Sequence, residues 1–207
     1  MTTLKLSQSN IVILASAFNP SIATKDWLNA NAIHQEPDNF INTPLVSVYE
    51  LPNIQMLIDQ SRLQITCREP ENEALQQCTD IVRQYVEKLP HTPYTAIGFN
   101  YIWEVSADIN VNKSNIAYDG NTLQIPAIAG DFDLYAVGAV VLARKDNYQI
   151  RAVVEPSLDT NKPIITTVNY HYELSNAQMI ADTTSQFIEH VADSERLVHK
   201  IFEESPK

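Results

Sequence analysis

The stretch from residue 97 to residue 105 restricts most strongly what this chain can fold into. Large apolar side chains occupy every second position of it, namely Ile97, Phe99, Tyr101, Trp103 and Val105. A period of two is typical of a β-strand with one face in the core, because successive side chains of a strand point to opposite faces. The sequence therefore predicts a long strand here, with an aromatic-rich buried face.

Two other segments have the apolar spacing of helices. From Glu71 to Leu89 apolar residues recur every three or four positions, and Pro90 ends the pattern. A second helix is predicted to begin after Asn176 and to continue for about 28 residues, which corresponds to a length of roughly 40 Å. A short third helix is predicted after the N-cap residue Thr24.

The remaining apolar runs predict further strands. These are residues 11–18, a meander of residues 45–51, 54–59 and 62–67, a hairpin of residues 134–144 and 148–156, and residues 163–174. Helices that are separated along the chain from antiparallel strands indicate an α+β fold. We expect a single domain over residues 1–207, mainly an antiparallel sheet covered by a middle helix and a long C-terminal helix. A long loop or insertion is expected at about residues 108–131.

Composition excludes several classes of function. Twenty-five acidic against 14 basic residues leave a formal net charge of −11, which disfavours direct nucleic-acid binding. The first ten residues contain one charge and no long apolar run, so we expect neither a signal peptide nor a membrane span, and a cytoplasmic location. With four glycines the chain has no phosphate-binding loop, and no motif specifies a catalytic residue, a metal or a cofactor. Cys67 and Cys78 are expected to be buried thiols.

Five polar residues are candidates for a site. If the strand at 163–174 lies beside the strand at 95–105, these residues share one face of the sheet: Asn100, Glu104, Asn169, His171 and Glu173. One histidine with two carboxylates and two amides suits general acid–base chemistry or a weak metal site. The alternative is the solvated face of a half-buried sheet, which has the same alternation and is the more common origin of such a pattern.

Two further groups have a functional and a structural interpretation. The aromatic residues Phe99, Tyr101 and Trp103 either line a pocket between the sheet and the long helix or belong to the core. On the last helix, His190 is spaced to pair with Asp193, which is typical of a solvated helix face.

Three stretches of the chain carry a resemblance. They are residues 13–22, residues 59–65, and residues 89–101 with Gly98, Asn100 and Tyr101 in a GxNY pattern. In these stretches the chain resembles uncharacterised bacterial proteins with a similar order of strand, helix, GxNY strand and C-terminal helix. The resemblance implies this order of elements and no activity.

The leading hypothesis is a non-enzymatic protein that binds another protein or its own copies. A sheet edge, the C-terminal helix or the loop at 108–131 would form the interface, because free strand edges are templates for pairing. The alternative is a small-molecule-binding protein or hydrolase-like enzyme, with a pocket between the sheet and the long helix. A third hypothesis is an acidic mimic of nucleic acid, although the acidic residues are dispersed along the chain.

Overall fold

A computed structural model of the chain describes residues 3–106, 138–157, 159 and 161–203. It contains nine strands: β1 (Leu4–Ala15), β2 (Asn39–Asn42), β3 (Val46–Glu50), β4 (Ile54–Asp59), β5 (Arg62–Cys67), β6 (Tyr94–Val105), β7 (Ala139–Lys145), β8 (Tyr148–Glu155) and β9 (Ile164–Glu173). The helices are α1 (Lys25–Asn31), α2 (Asn72–Lys88), α3 (Ala177–Thr184) and α4 (Gln186–Phe202), with a short 3₁₀ turn at Pro20–Ile22. This confirms the predicted α+β class.

All nine strands form one antiparallel sheet, in the order β2-β3-β4-β5-β1-β6-β9-β8-β7. The two longest strands, β1 and β6, have 12 residues each and pair at its centre. After each of them the chain forms a meander that returns to pair with that strand, and helices follow each meander. Each half of the chain thus contributes a central strand, a meander on its outer side and helical cover.

One face of the sheet is apolar and faces the helices. In β6 the alternating residues Ile97, Phe99 and Tyr101 are fully buried, as the period of two predicts. The helix α2 lies over β5, and α3 and α4 lie over β6. Because strand register keeps side chains of one parity on one face, the described helices all cover this same face, and we call the opposite one the open face.

The two predicted helices before β6 are confirmed, with their expected ends. The Thr24 hydroxyl accepts a hydrogen bond from the Trp27 amide at 3.2 Å and caps α1. The amphipathic α2 ends at Lys88, with Leu89 and Pro90 after it. Its buried side faces the sheet through Leu75, Cys78, Thr79, Ile81, Val82, Tyr85 and Val86.

The C-terminal helix departs from the prediction, because it is divided at Ser185. The Thr184 hydroxyl bonds to the Ile180 carbonyl at 2.7 Å, and the Ser185 hydroxyl bonds to the Asp182 carbonyl at 3.0 Å. Side-chain hydroxyls that compete for helix carbonyls favour bends and helix ends. As a result α4 has 17 residues, about 26 Å, rather than the roughly 40 Å expected of a continuous helix.

Other boundaries differ from the predicted ones. The first strand begins seven residues earlier than predicted, at Leu4, because its outer half is polar and has no apolar run. The four-residue β2 is too short and too polar to be found from its pattern. The expected loop at 108–131 lies outside the described residues.

Truncation of Phe187 tests the sheet–helix contact. This fully buried ring lies with its centroid 5.6 Å from those of both Phe99 and Tyr101. We expect Phe187→Ala to lower the free energy of unfolding by about 3–5 kcal/mol, measured by urea denaturation. Glu195→Ala on the exposed side of the same helix is the control, with an expected change within about 0.5 kcal/mol. Equal effects of the two substitutions would contradict this packing.

Candidate functional site

The predicted aromatic residues Phe99, Tyr101 and Trp103 lie in the core. Phe99 and Tyr101 have no exposed surface, and 4% of Trp103 is exposed. The Trp103 indole donates to the Ser194 hydroxyl at 3.1 Å, and the Tyr101 hydroxyl donates to the Phe187 carbonyl. Side chains of α4 therefore fill the space over these rings, and the aromatic residues hold the helix on the sheet.

A buried polar network lies beside these rings, where the sequence predicts a solvated helix face. His190 is only 5% exposed, and its imidazole stacks on Tyr170 with a centroid distance of 4.0 Å. Its Nε2 lies 2.6 Å from the Tyr172 hydroxyl, and its Nδ1 lies 3.3 Å from Asp193 Oδ2. The Tyr172 hydroxyl also donates to Gln186 Oε1 at 2.6 Å, so the direction of its hydrogen bond with His190 Nε2 depends on the tautomer of the imidazole.

Burial determines the protonation of this network. Desolvation lowers the pKa of His190 below its ordinary value, although hydrogen bonding to Asp193 acts in the opposite direction. Desolvation also raises the pKa of the Tyr172 hydroxyl. The order carboxylate, imidazole, hydroxyl is the order of a catalytic relay, but Tyr172 has no exposed surface with which to meet a substrate. We therefore assign the network to the core.

On the open face, a row of polar side chains crosses the sheet at one level. One residue of each strand belongs to it, and all but the last are polar: Asn39, Glu50, Gln55, Thr66, Asn10, Asn100, Asn169, Arg151 and Leu142. We call this set the polar row.

Amide–amide hydrogen bonds connect the centre of the polar row. Asn169 Nδ2 donates to Asn100 Oδ1 at 2.8 Å, and Asn100 Nδ2 donates to Asn10 Oδ1 at 2.7 Å. Toward β2, the Glu50 carboxylate accepts hydrogen bonds from Asn39 and Gln55, which lower its pKa. These side chains satisfy one another, so the row links strands and is not a set of free ligand-binding groups.

The structure divides the predicted polar cluster into separate parts. The expected pairing of β6 with β9 is present and puts Asn100 opposite Asn169. His171 lies opposite Gly98, one level away on the same face, and Glu173 lies one level further. Glu104 is four residues along β6 from Asn100, about 13 Å, and faces Ile165. The five residues therefore do not converge on one point.

Two members of that cluster do line a groove. His171 and Glu173 border a depression of about 300 Å³ at the β7–β8 turn, together with Arg144 and Gln149. It is open to solvent and carries both signs of charge. Another groove, of about 360 Å³, lies at the end of α2 and is mainly apolar, with Phe18 and Tyr85 among its lining residues.

The outer edge of β7 is the most exposed apolar element of the described chain. No described strand pairs with this edge, and Val140 and Leu142 are 55% and 74% exposed. The first five of its seven residues, 139–143, are apolar, without Pro, Gly or charge. Proteins usually protect edge strands by short length, charges, Pro or bulges. The β2 edge follows this rule with four residues, of which Asn39 and Asn42 are polar.

The open face beside β7 combines aliphatic and polar side chains. Val153 lies opposite Val140, but Arg151 lies opposite Leu142, and Thr167 separates Val153 from Ile102. None of the nine described strands places an aromatic side chain on the open face, so it has no platform for stacking nucleobases. Aliphatic side chains next to an unpaired strand are suited to contact with another polypeptide.

The two cysteines lie beneath α2. Cys67 at the end of β5 and Cys78 on α2 are free thiols without exposed surface. The hydrogen bond between them lowers the pKa of Cys67 and raises the pKa of Cys78. Their burial agrees with the expectation from the sequence.

Within the described residues, no helix has the length and apolar character required to cross a membrane, and no group of three or more His, Cys, Asp or Glu residues is arranged to hold a metal ion. The sequence matches no family model and no curated protein.

Removal of the Asn100 amide tests the polar row. Asn100→Ala leaves the amides of Asn10 and Asn169 without their shared partner, and Asn10 is only 8% exposed. We expect the free energy of unfolding to fall by about 1–3 kcal/mol. Thr167→Ala, on the same face of β9, is the control and is expected to have a smaller effect. A stability equal to that of the wild type would show that water replaces the amide.

The buried imidazole predicts a pH dependence of stability. Because the pKa of His190 is lower in the folded state than its usual value of about 6.5, the unfolded chain binds more protons as the pH falls. The wild type should therefore lose stability relative to His190→Gln as the pH decreases from 7.5 to 5.5, measured by urea denaturation. His199→Gln, exposed on the same helix, should follow the wild type. A constant difference between the wild type and His190→Gln would contradict the assignment.

Proposed function

We propose that this is a non-enzymatic protein-interaction protein that binds an extended polypeptide segment along the outer edge of β7. The observation that supports the proposal most strongly is the β7 edge, whose first five residues, 139–143, are apolar, with Leu142 74% exposed. Its outward backbone N–H and C=O groups, which pair with no described strand, would form hydrogen bonds with an added strand.

The side chains of β7 would supply the contacts for such a strand. Val140 and Leu142 point to the open face, where Val153 lies opposite Val140 and Arg151 lies opposite Leu142. A bound strand with apolar residues at alternate positions would bury these side chains, at about 25 cal/mol per Å² of apolar surface. Arg144 and Lys145 lie at one end of β7. Their positive charges would set the direction of the bound strand through the charges that this strand carries.

The other two interfaces considered from the sequence have weaker support. The apolar side of α4 already faces the sheet, with Phe187, Val198 and Ile201 buried. The loop at 108–131 lies outside the described residues. We also propose a cytoplasmic location, which the two free thiols support because disulfides are rare in reducing compartments.

A small-molecule site is the second candidate, because His171, Glu173 and Arg144 line one groove. A pocket was expected between the sheet and the long helix, but at Phe99, Tyr101 and Trp103 this space is filled by their buried side chains. The His171 groove is therefore the place to look for a ligand. Its open shape and mixed charge favour it less than the β7 edge.

A strand-addition assay tests the leading proposal. The β8 sequence, residues 148–155, already pairs with the inner edge of β7, so a synthetic peptide of this sequence is a suitable probe for the outer edge. On titration into ¹⁵N-labelled protein, we expect NMR shifts and slower hydrogen exchange at β7 amides, because new backbone hydrogen bonds form there. The measurement is a residue-by-residue map of the shifts.

The control peptide has the same sequence, with all backbone nitrogens methylated so that neither of its edges can donate hydrogen bonds. It should leave the β7 amides unchanged. Equal shifts with both peptides, or shifts confined to residues away from β7, would exclude strand addition as the binding mode.

A further inference from the structure

We propose that the segment bound along β7 is the β7 strand of a second copy of this chain, so that two sheets join edge to edge as a two-fold dimer. This inference rests on the proposed function and specifies its partner. It follows from the order of side chains in β7, Ala-Val-Val-Leu-Ala-Arg-Lys, which on reversal places apolar residues opposite one another at the centre and no like charges opposite each other.

Only one antiparallel register pairs all seven residues of β7 with all seven of a second copy. In that register Leu142 lies opposite Leu142 of the second copy, and Val140 lies opposite Arg144. The even-numbered residues stay on the open face in both copies, because side chains alternate along a strand. A two-fold axis perpendicular to the sheet through Leu142 therefore gives a continuous sheet of 18 strands, nine from each copy, with the helices on one side.

The charges of β7 are compatible with this register. Each basic residue faces an aliphatic one across the interface: Arg144 faces Val140, and Lys145 faces Ala139. In the dimer, Arg144 of one copy and Arg144 of the other are four residue positions apart, about 13 Å along the strands. Like charges directly opposite each other, which destabilise strand pairing, are therefore absent from this β7–β7 interface.

The interface would also place basic residues near acidic ones. Arg144 of the second copy lies at the level of Val140 and Val153, and Glu155 follows Val153 on the same face of β8. In a chain with a net charge of −11, a local basic cluster on β7 reduces the repulsion between two copies at their point of contact. A second copy is thus a better match than an arbitrary apolar strand.

The molecular mass in solution is the first measurement. Sedimentation of the full chain over a range of concentrations should show 23.3 kDa at low concentration and about twice this value at high concentration. Leu142→Lys puts two ammonium groups opposite each other at the axis and should abolish the dimer while the fold, checked by circular dichroism, is retained. Met179→Lys, an exposed apolar position on α3, should leave the dimer intact.

Cysteine cross-linking tests the register. The only natural cysteines, Cys67 and Cys78, are buried, so an introduced thiol is the accessible one. Under mild oxidation by copper–phenanthroline, Leu142→Cys should form a disulfide-linked dimer, because directly opposed Cβ atoms are about 5 Å apart. Val140→Cys alone should give at least tenfold less cross-linked dimer, and its mixture with Arg144→Cys should restore cross-linking.

Each outcome distinguishes the two proposals. A monomer at all concentrations, or equal cross-linking of Val140→Cys and Leu142→Cys, overturns the second-copy assignment. If a monomeric protein still binds the residue 148–155 peptide along β7, strand addition stands and the partner is a different chain. If neither dimer nor peptide binding is observed, both proposals fail.

Discussion

The antiparallel pairing of β1 with β6 is the contact on which the rest of the structure depends. Each strand has 12 residues, and the pair joins the meander of the first half of the chain to that of the second. On the helix side it supplies Ile11, Ile13 and Phe99 to the core, and on the open face Asn10 bonds to Asn100. With β1 and β6 apart, each meander would keep the long strand of its own half, but the sheet would divide into two and each long strand would have an unpaired edge.

Strands are added on both sides of the central β1–β6 pair, so the sheet is wide. The width of the sheet bears on why one of its faces is open. Nine strands span about 38 Å at the usual spacing of about 4.8 Å. The three larger helices of the described residues all follow the meanders onto the same side, so they cover the apolar face, and no described helix covers the other face. The polar row is suited to this position, because it ties neighbouring strands together on the face where helices give no support.

The sequence predicts the local elements better than their assembly. Alternation at 97–105 and helical spacing at 71–89 identify β6 and α2, because each pattern reflects the burial of one element. The link Asn10–Asn100–Asn169 joins residues 90 and 69 positions apart, and no local pattern encodes that contact. His190 illustrates the same limit: its spacing to Asp193 is that of a surface pair, and only the sheet rings around it make it a buried group.

The contrast between the two sheet edges gives the exposed surface of β7 its significance. The edge at β2 is short and has a polar residue at each end, so it has little capacity to recruit another strand. The edge at β7 is longer and its first five residues are aliphatic, and it would be an aggregation site if several copies could add to it in succession. Pairing about a two-fold axis buries both β7 edges at once and, among the described strands, leaves the two short β2 edges exposed. Assembly of this kind therefore ends at two copies, and the unprotected edge becomes an interface of limited size.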